Sequence, residues 1–318
     1  MKIDFSKAQQ KLSEAKNIVI TAHVNPDGDA LGSMLAFGQY FKMAGKAVSL
    51  WVDDDLPSKY DFLPGFEQIT RPAQMEEPAD LLLVLDTAPD RIGLVCNFTD
   101  APILNIDHHV SNTGQSEFAL YLDAGKAATG EIVYSLLKAM GAAISTEIAT
   151  CLYTAIATDC GFFRYSNTTP FTMEAAADLL RCGVRPHLIS EALEKTPLAV
   201  VQGRAEALKT LELFLEDRLA IVMVEQQVLE KYTSTEGLID AIRVIDHVDV
   251  AVVVKFVEDS LCRISMRSKF TDVSQIAVQF GGGGHPRAAG CSLKMNVQMA
   301  KKEILSAIIS AMEGKLHG

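Results

Sequence analysis

What this sequence lacks narrows it first. Its six cysteines, Cys96, Cys151, Cys160, Cys182, Cys262 and Cys291, include no Cys-x-x-Cys pair. Neither a thiolate zinc site nor a disulfide framework is therefore indicated, and buried, reduced thiols are expected. No apolar run approaches the roughly 20 residues that a bilayer-spanning helix needs. The N-terminal stretch MKIDFSKAQQKLSEAKN is polar and amphipathic, without the apolar core of a secretory signal. A cytoplasmic protein without membrane contact is the expectation. Positive charge is also scarce: 29 Lys and Arg against 40 Asp and Glu give a formal net charge of −11. Phosphate contacts dominate the affinity for long nucleic acids, so their binders usually carry a basic face. A long duplex is thus not an expected partner, whereas a small anion or short oligonucleotide in a local basic pocket is compatible with the charge. Part of the acidic excess would also be neutralised if it ligated divalent cations.

What is present is a chain of 318 residues, 48% hydrophobic, with enough apolar content for a sizeable core and a length that suggests about two domains. Residues 17–22 (NIVITA) read as a buried strand ending at His23, followed by the turn-rich NPDGD and then a helix, ALGSMLAFGQYFKMAG, closed by Gly45. Further strands are expected at 47–52, 79–86 and 102–107, and helices at 128–140 and 145–158, the second delivering Asp159. Continuous apolar runs of this kind suit parallel strands covered on both faces by helices. From Arg185 to about Leu215 the pattern is mostly helical and is interrupted by Pro186 and Pro197; beyond Asp217 come strands at RLAIVMV, VDVAVVVKFV and LCRISMR, a helix at VSQIAVQF, the glycine-rich loop GGGGHPRAAG (281–290) and a C-terminal helix. The expected class is α/β, with domains over 1–185 and 217–318 joined by a helical connector over 186–216.

His23, Asp86 and Asp107 each fall at the carboxyl end of an expected strand, the edge where open α/β sheets bind ligands. Four segments supply ligands for hard cations: His23 to Asp29, Asp86 in LVLDT, Asp107-His108-His109, and Asp159 in ATDCGFFR. Carboxylate oxygen with imidazole nitrogen, and no thiolate, suits divalent ions such as manganese. Asp27-x-Asp29 in a tight loop is able to aim two carboxylates at two ions, with Asp86 bridging them; two such metals clamp the attacking and leaving oxygens of a phosphoryl displacement. Taken singly, each piece has an ordinary explanation. An Asp-x-Asp loop is usually a turn, a strand-end Asp is often a helix cap, and His108-His109 would pass as a buried pair. Their convergence on one sheet edge favours a metal site.

The segments HVNPDGDALGS, VLDT, NIDHH and TDCGFFRYS resemble the four signature motifs of the DHH phosphoesterase family, and GGGGHPRAAG resembles the glycine-rich signature of the DHHA1 domain that often follows. The likeness spans nearly the whole chain, in the expected order, and is closest in kind to the nanoRNase/pAp phosphatase branch. It implies an N-terminal parallel-sheet domain, a smaller C-terminal α/β domain and an active site in the cleft between them. It implies two divalent ions, Mn2+ in the first instance with Mg2+ or Co2+ as alternatives. One ion takes His23, Asp27 and Asp86; the other takes Asp29, Asp86, His108 and Asp159. Asp107 orients an imidazole or neighbouring backbone, and His109 faces the substrate phosphate. The implied substrates are short RNA, linear dinucleotides or 3′-phosphoadenosine 5′-phosphate (pAp), and a homodimer is a family-based expectation.

In the C-terminal part, Arg263, Ser265 and Arg267 share one face of a strand, and arginine suits bidentate phosphate recognition; a solvated strand face is the ordinary alternative. Gly283 and Gly284 allow backbone amides to approach a ligand. Together with His285 and Arg287 they form the expected pocket for a nucleoside or terminal phosphate. Arg164 is a further candidate, equally readable as a structural partner near Asp159. Asp53-Asp54-Asp55 reads as a solvated loop, Trp51 as packing, and His187, His247 and His317 lack motif context. Competing readings are a pyrophosphatase or polyphosphatase, a single-strand exonuclease, a soluble phosphodiesterase of cyclic di-AMP or its linear product, and a nucleotide-binding regulator without turnover. The glycine-rich signature disfavours the first, and chain length the second.

Overall fold

The computed structural model describes residues 1–114, 117–232 and 234–313, apart from the side chains of His285 and Glu313. They form two compact units, Met1–Lys195 and Thr196–Gly318, and each is considered by itself.

In the first unit, helix α1 (Phe5–Glu14) precedes β1 (Asn17–Thr21), α2 (Gly28–Met43) and β2 (Ala47–Trp51). Strands β3 (Ile69–Thr70), β4 (Leu81–Leu85), β5 (Ile103–Asp107) and β6 (Ala119–Leu122) follow, then helices α3 (Thr129–Ala139), α4 (Thr146–Asp159), α5 (Pro170–Arg181) and α6 (Pro186–Glu194). The six strands make one sheet in the order β3-β2-β1-β4-β5-β6, parallel throughout. The chain winds outward from β1 in one direction and from β4 in the other. The crevice between their carboxyl ends is therefore the switch point where ligands bind in such sheets.

Helices were expected on both faces of this sheet, and among the described residues only one face has them. Ile18, Ile20, Leu83, Leu85, Leu104 and Ile106 pack with Phe37, Phe41, Leu136 and Leu152 of the helices. On the other face Val19, Trp51, Leu82 and Val84 are covered by Ile92, Val95 and Phe98. The β4–β5 crossover there makes only two short 3-10 turns, at Pro89–Arg91 and Val95–Asn97. Pro89 and Gly93 break any longer helical run in this segment. Trp51 is buried against Phe98, in keeping with a packing role.

Helices α2 and α4 cross almost backbone to backbone. A Cβ added to Gly32 would lie 2.4 Å from the Cys151 carbonyl oxygen, and one on Gly28 would lie 2.4 Å from Thr158 Oγ1. A Cβ on Gly130 of α3 would meet Ala155 at 2.6 Å.

The second unit begins with α7 (Leu198–Leu208) and β7 (Glu212–Phe214), then β8 (Leu219–Val224), α8 (Gln226–Tyr232), α9 (Leu238–Arg243), β9 (Val250–Glu258) and β10 (Leu261–Ser268). Helix α10 (Val273–Gln279), β11 (Gly283–His285), β12 (Ala288–Leu293) and α11 (Val297–Glu313) complete it. Its sheet runs β11-β12-β10-β9-β8-β7; only β8 and β9 are parallel neighbours. Helices α10 and α11 cover one face, and α7 and α9 cover the β8–β9 part of the other. The glycine-rich segment, expected as a loop, is largely the hairpin β11–β12, with Gly284 paired to Ala289. Gly282 and Gly284 are needed for that pairing: a Cβ would lie 2.2 Å from the Gly290 carbonyl oxygen and 2.4 Å from the Ala288 carbonyl oxygen respectively. Gly283 has open space at the corresponding position.

Candidate metal centre

Each group of the site is set by a chain terminus of an element. Asp27 caps α2, its Oδ1 accepting from the backbone N–H of Asp29 and Ala30 at 3.0 Å each. That cap fixes the Asp-x-Asp turn and buries Asp29 in the first turn of the helix. Asp86 follows β4 in the left-handed region, at φ +60°, which aspartate tolerates better than most residues. Asp159 is the last residue of α4, and His108 and His109 follow β5.

These residues meet. Asp86 Oδ2 lies 3.8 Å from His23 Nε2, while Asp86 Oδ1 lies 3.6 Å from His108 Nε2. His23 Nε2 is 4.0 Å from Asp27 Oδ1, and His108 Nε2 is 3.5 Å from Asp159 Oδ2 and 3.9 Å from Asp29 Oδ2. Two donor sets, His23–Asp27–Asp86 and Asp29–His108–Asp159, each have their ligand atoms within 4.8 Å of one another.

The histidine tautomers suit ligation. His23 Nδ1 lies 2.8 Å from the Val24 carbonyl oxygen, and His108 Nδ1 lies 3.2 Å from that of Lys126. A carbonyl only accepts, so each Nδ1 carries a proton and Nε2 is the nitrogen that faces the carboxylates. His108 Nε2 is buried and makes no hydrogen bond among the described residues, the state of a ligand atom rather than of a satisfied core histidine. His109 differs. Its Nδ1 donates to Asp107 Oδ1 at 2.8 Å and so is not available for a cation, although it lies near Asp86 and His108.

The electrostatics point the same way. Burial, followed by the charges of Asp159 and Asp27, pushes the Asp29 carboxyl well above its usual range, although the Gly130 and Thr129 amides oppose this. Burial and then Asp29, Asp27, Asp159 and Asp107 do the same to Asp86. Buried carboxylates crowded in this way are costly unless a cation compensates them. Asp107 stands apart: burial alone would raise it, but bonds from His109 and Asn112 outweigh burial and hold it below the usual value. The His109 imidazole is correspondingly raised, chiefly by its bond to Asp107. Asp107 also accepts from the His108 N–H at 2.7 Å and from Asn112 Nδ2 at 2.7 Å, so it organises the backbone of the triplet.

Several supporting groups were not legible in the sequence. Thr129 Oγ1 donates to Asp86 Oδ1 at 2.9 Å, and the Thr129 and Gly130 amides donate to Asp29 at 2.6 and 2.8 Å. Asn105 is buried in β5, donates to the Val84 and Thr87 carbonyls and accepts from Asn112. A pocket of about 180 Å³ beside His109 and Asp107 adds Thr87, Arg91 and Ser111. The strongest available signal was Thr129-Gly130 at the start of a helix, which is also an ordinary beginning for one.

Arg164 is exposed, and its Nε donates to the Gly161 carbonyl at 2.8 Å, bracing the turn after α4. The remaining expected substrate groups belong to the second unit. Arg263, Ser265 and Arg267 alternate along β10 with buried Cys262, Ile264 and Met266, so they share the opposite face. Arg287 follows β11, with Nη1 donating to the Thr271 carbonyl at 3.2 Å, and its own carbonyl accepts from Ser268. The His285 side chain and His317 lie outside the described residues.

Residues 17–156 match the family model described as "DHH family, N-terminal domain", and residues 222–314 match the DHHA1 domain. The chain is 33% identical to the bifunctional oligoribonuclease and PAP phosphatase NrnA of Thermus thermophilus, over 92% of this chain and 89% of that protein. It is 27% identical to the Bacillus subtilis protein of the same name, over 87% and 89%. Among solved structures, an exopolyphosphatase-related protein from Bacteroides fragilis superimposes with a TM-score of 0.86 at 23% identity, covering 98% of this chain and 95% of that one.

Proposed function

The chain belongs to the DHH family of phosphoesterases and hydrolyses phosphoester bonds, and from that premise we propose that it is a two-metal enzyme acting on short oligoribonucleotides, linear dinucleotides and pAp. The observation that carries this reading is Asp86, whose two oxygens face two different histidine ligand atoms, at 3.8 and 3.6 Å. His23, Asp27 and Asp86 would hold one divalent ion, and Asp29, Asp86, His108 and Asp159 would hold the other. The oxygen-rich donor set, without thiolate, suits manganese. Bound there, the two ions supply Lewis acidity and lower the pKa of a coordinated water.

The protein's own groups do the rest. Asp107 keeps the His109 ring fixed through Nδ1, which directs Nε2 elsewhere, and its charge favours the imidazolium. His109 is thereby equipped to hold a phosphate oxygen or to return a proton to the leaving group. Arg263, Ser265, Arg267, Gly283, Gly284, His285 and Arg287 take the far end of the substrate. The names of the Thermus and Bacillus relatives support the substrate class, and a net charge of −11 suits a small anionic ligand rather than a polymer.

The test is hydrolysis of pAp, a linear dinucleotide, a five-residue RNA and pyrophosphate, each with manganese and with chelator. Turnover of the nucleotides in manganese alone is expected. Failure of all four refutes the enzyme reading, and pyrophosphate cleavage without nucleotide cleavage replaces it with a pyrophosphatase.

A further inference from the structure

The Lys126 carbonyl and the Ala127 N–H belong to one peptide unit, and that unit has a partner at each end. Its oxygen lies 3.2 Å from His108 Nδ1, and its N–H donates to Glu131 Oε2 at 3.3 Å. An imidazole, a peptide and a carboxylate are therefore joined in a row, with His108 Nε2 at the free end facing Asp29, Asp86 and Asp159. Solvent has no access to the carboxylate end of this row, since Ala127, Ala128 and Glu131 are 1%, 0% and 0% exposed.

Glu131 is the third residue of α3, where a glutamate commonly reaches back to the N–H of the N-cap residue. That ordinary role does not describe it. The N-cap here is Ala128, which has no side-chain oxygen to complete a capping box, and Glu131 reaches past it to Ala127. Glu131 Oε1 is buried and makes no hydrogen bond among the described residues. A carboxylate buried with so few partners costs stability, so packing alone would be better served by an apolar side chain. The two residues before it serve the same site: the Thr129 and Gly130 amides hold Asp29, and Thr129 Oγ1 holds Asp86. Asn167 Nδ2 donates to the Ala127 carbonyl at 3.2 Å and to the Asp159 carbonyl at 3.4 Å, which ties the same strap to the end of α4.

We propose that Glu131 is a positioning residue for His108, acting through the Lys126–Ala127 peptide. The inference rests on the reading of His108 as a ligand of a divalent ion. A ligating histidine commonly donates its other ring N–H to a carboxylate or a carbonyl, which fixes the ring and raises the basicity of the ligating nitrogen. Here a carbonyl and a carboxylate act in series. Glu131 pulls on the Ala127 N–H, which makes the Lys126 oxygen a stronger acceptor for the His108 Nδ1 proton, and electron density moves toward Nε2. Hydrogen bonds in such a chain strengthen one another where the local dielectric is low. A neutral acceptor at position 131 keeps the peptide in place but loses most of this polarisation.

The experiment is calorimetric titration of the full chain with manganese, in a double-mutant cycle of Glu131→Gln with His108→Ala. Glutamine has the shape of glutamate and still accepts from the Ala127 N–H, so the charge alone is removed. Glu131→Gln should weaken manganese binding about tenfold, at the low end for groups that orient a metal ligand. In the His108→Ala background the same substitution should change the remaining affinity by less than about twofold, because residues that act through one another are not additive. Equal losses in the two backgrounds, the mark of a merely structural effect, overturn the proposal, as does an unchanged affinity in Glu131→Gln. A second readout needs no metal. In chelator, 15N-edited NMR should show the His108 Nδ1 proton exchanging with water several-fold faster in Glu131→Gln than in wild type, and equal rates overturn the proposal. A wild-type chain that binds no manganese refutes the two-ion reading alone, and the exchange rates then decide the role of Glu131.

Discussion

Replacing Asp86 by asparagine should stabilise the metal-free protein while disabling the metal-loaded one. The substitution is chosen to isolate charge. Asn tolerates the left-handed conformation at φ +60°, and its amide oxygen still accepts from Thr129 Oγ1. What disappears is one of several crowded negative charges. Ligand oxygens of Asp27 and Asp86 lie within 4.8 Å of one another; at an effective dielectric of about 20, two unit charges at that distance repel by about 3.5 kcal/mol. The Asp27 side chain is 53% exposed, so solvent screening reduces this to about 1–2 kcal/mol. For a unit spanning Met1–Lys195, that corresponds to a rise of about 2–8 °C in melting temperature. In manganese the order should reverse. On the proposed two-ion reading, wild type should gain about 2.7 kcal/mol for each ion present at 100 times its Kd, whereas the variant would lack a ligand of both sites and should gain little. Differential scanning calorimetry of both proteins, in chelator and in millimolar manganese, reads the crossover. An Asp86→Asn protein that melts below wild type in chelator, or that manganese stabilises as much as wild type, would refute the crowded, bridging role given to this carboxylate.

Thr129→Val keeps most of the side-chain shape but removes the hydroxyl that donates to Asp86; metal affinity should fall about 10–100-fold, with Thr129→Ser restoring it, as measured by manganese titration. Gly32→Ala places a methyl 2.4 Å from the Cys151 carbonyl oxygen and should cost about 1–3 kcal/mol or more in urea unfolding; no loss of stability would show that α2 and α4 can part. Arg287→Ala should raise KM more than it lowers kcat if its contact is made in the ground state, and an unchanged KM on pAp would remove it from the substrate pocket.

The sequence was informative where chemistry follows from a local rule. Apolar runs ending in His23, Asp86 and Asp107 announce strands whose carboxyl ends carry polar groups, and the parallel sheet places those ends side by side. The rule fails where the deciding contact is distant. Nothing near Asp29 indicates that amides 100 and 101 residues away hold its carboxylate. The irregular cover over Val19, Trp51 and Val84 was invisible because a buried strand has the same composition whether a helix or a packed loop lies on it. The glycine run read as a loop because glycine disfavours strands; here glycine is required by close backbone approach in a hairpin, a tertiary condition absent from local propensity. Arg91 and Ser111 were passed over because neither belongs to a recognisable pattern, and only the fold brings them beside His109.

The close crossing of α2 and α4 has a consequence for ion choice. Asp29 rides on one helix and Asp159 ends the other, and their separation is set by glycine Cα atoms against backbone and short side chains. Walls of that kind neither swell nor contract by fractions of an ångström to suit their contents. Calcium prefers oxygen ligands at about 2.3–2.6 Å and magnesium at about 2.0–2.1 Å. On the two-ion reading proposed above, a site whose sides are tied at backbone level would discriminate between such ions by radius, and the residues setting that radius would be glycines that touch no ion.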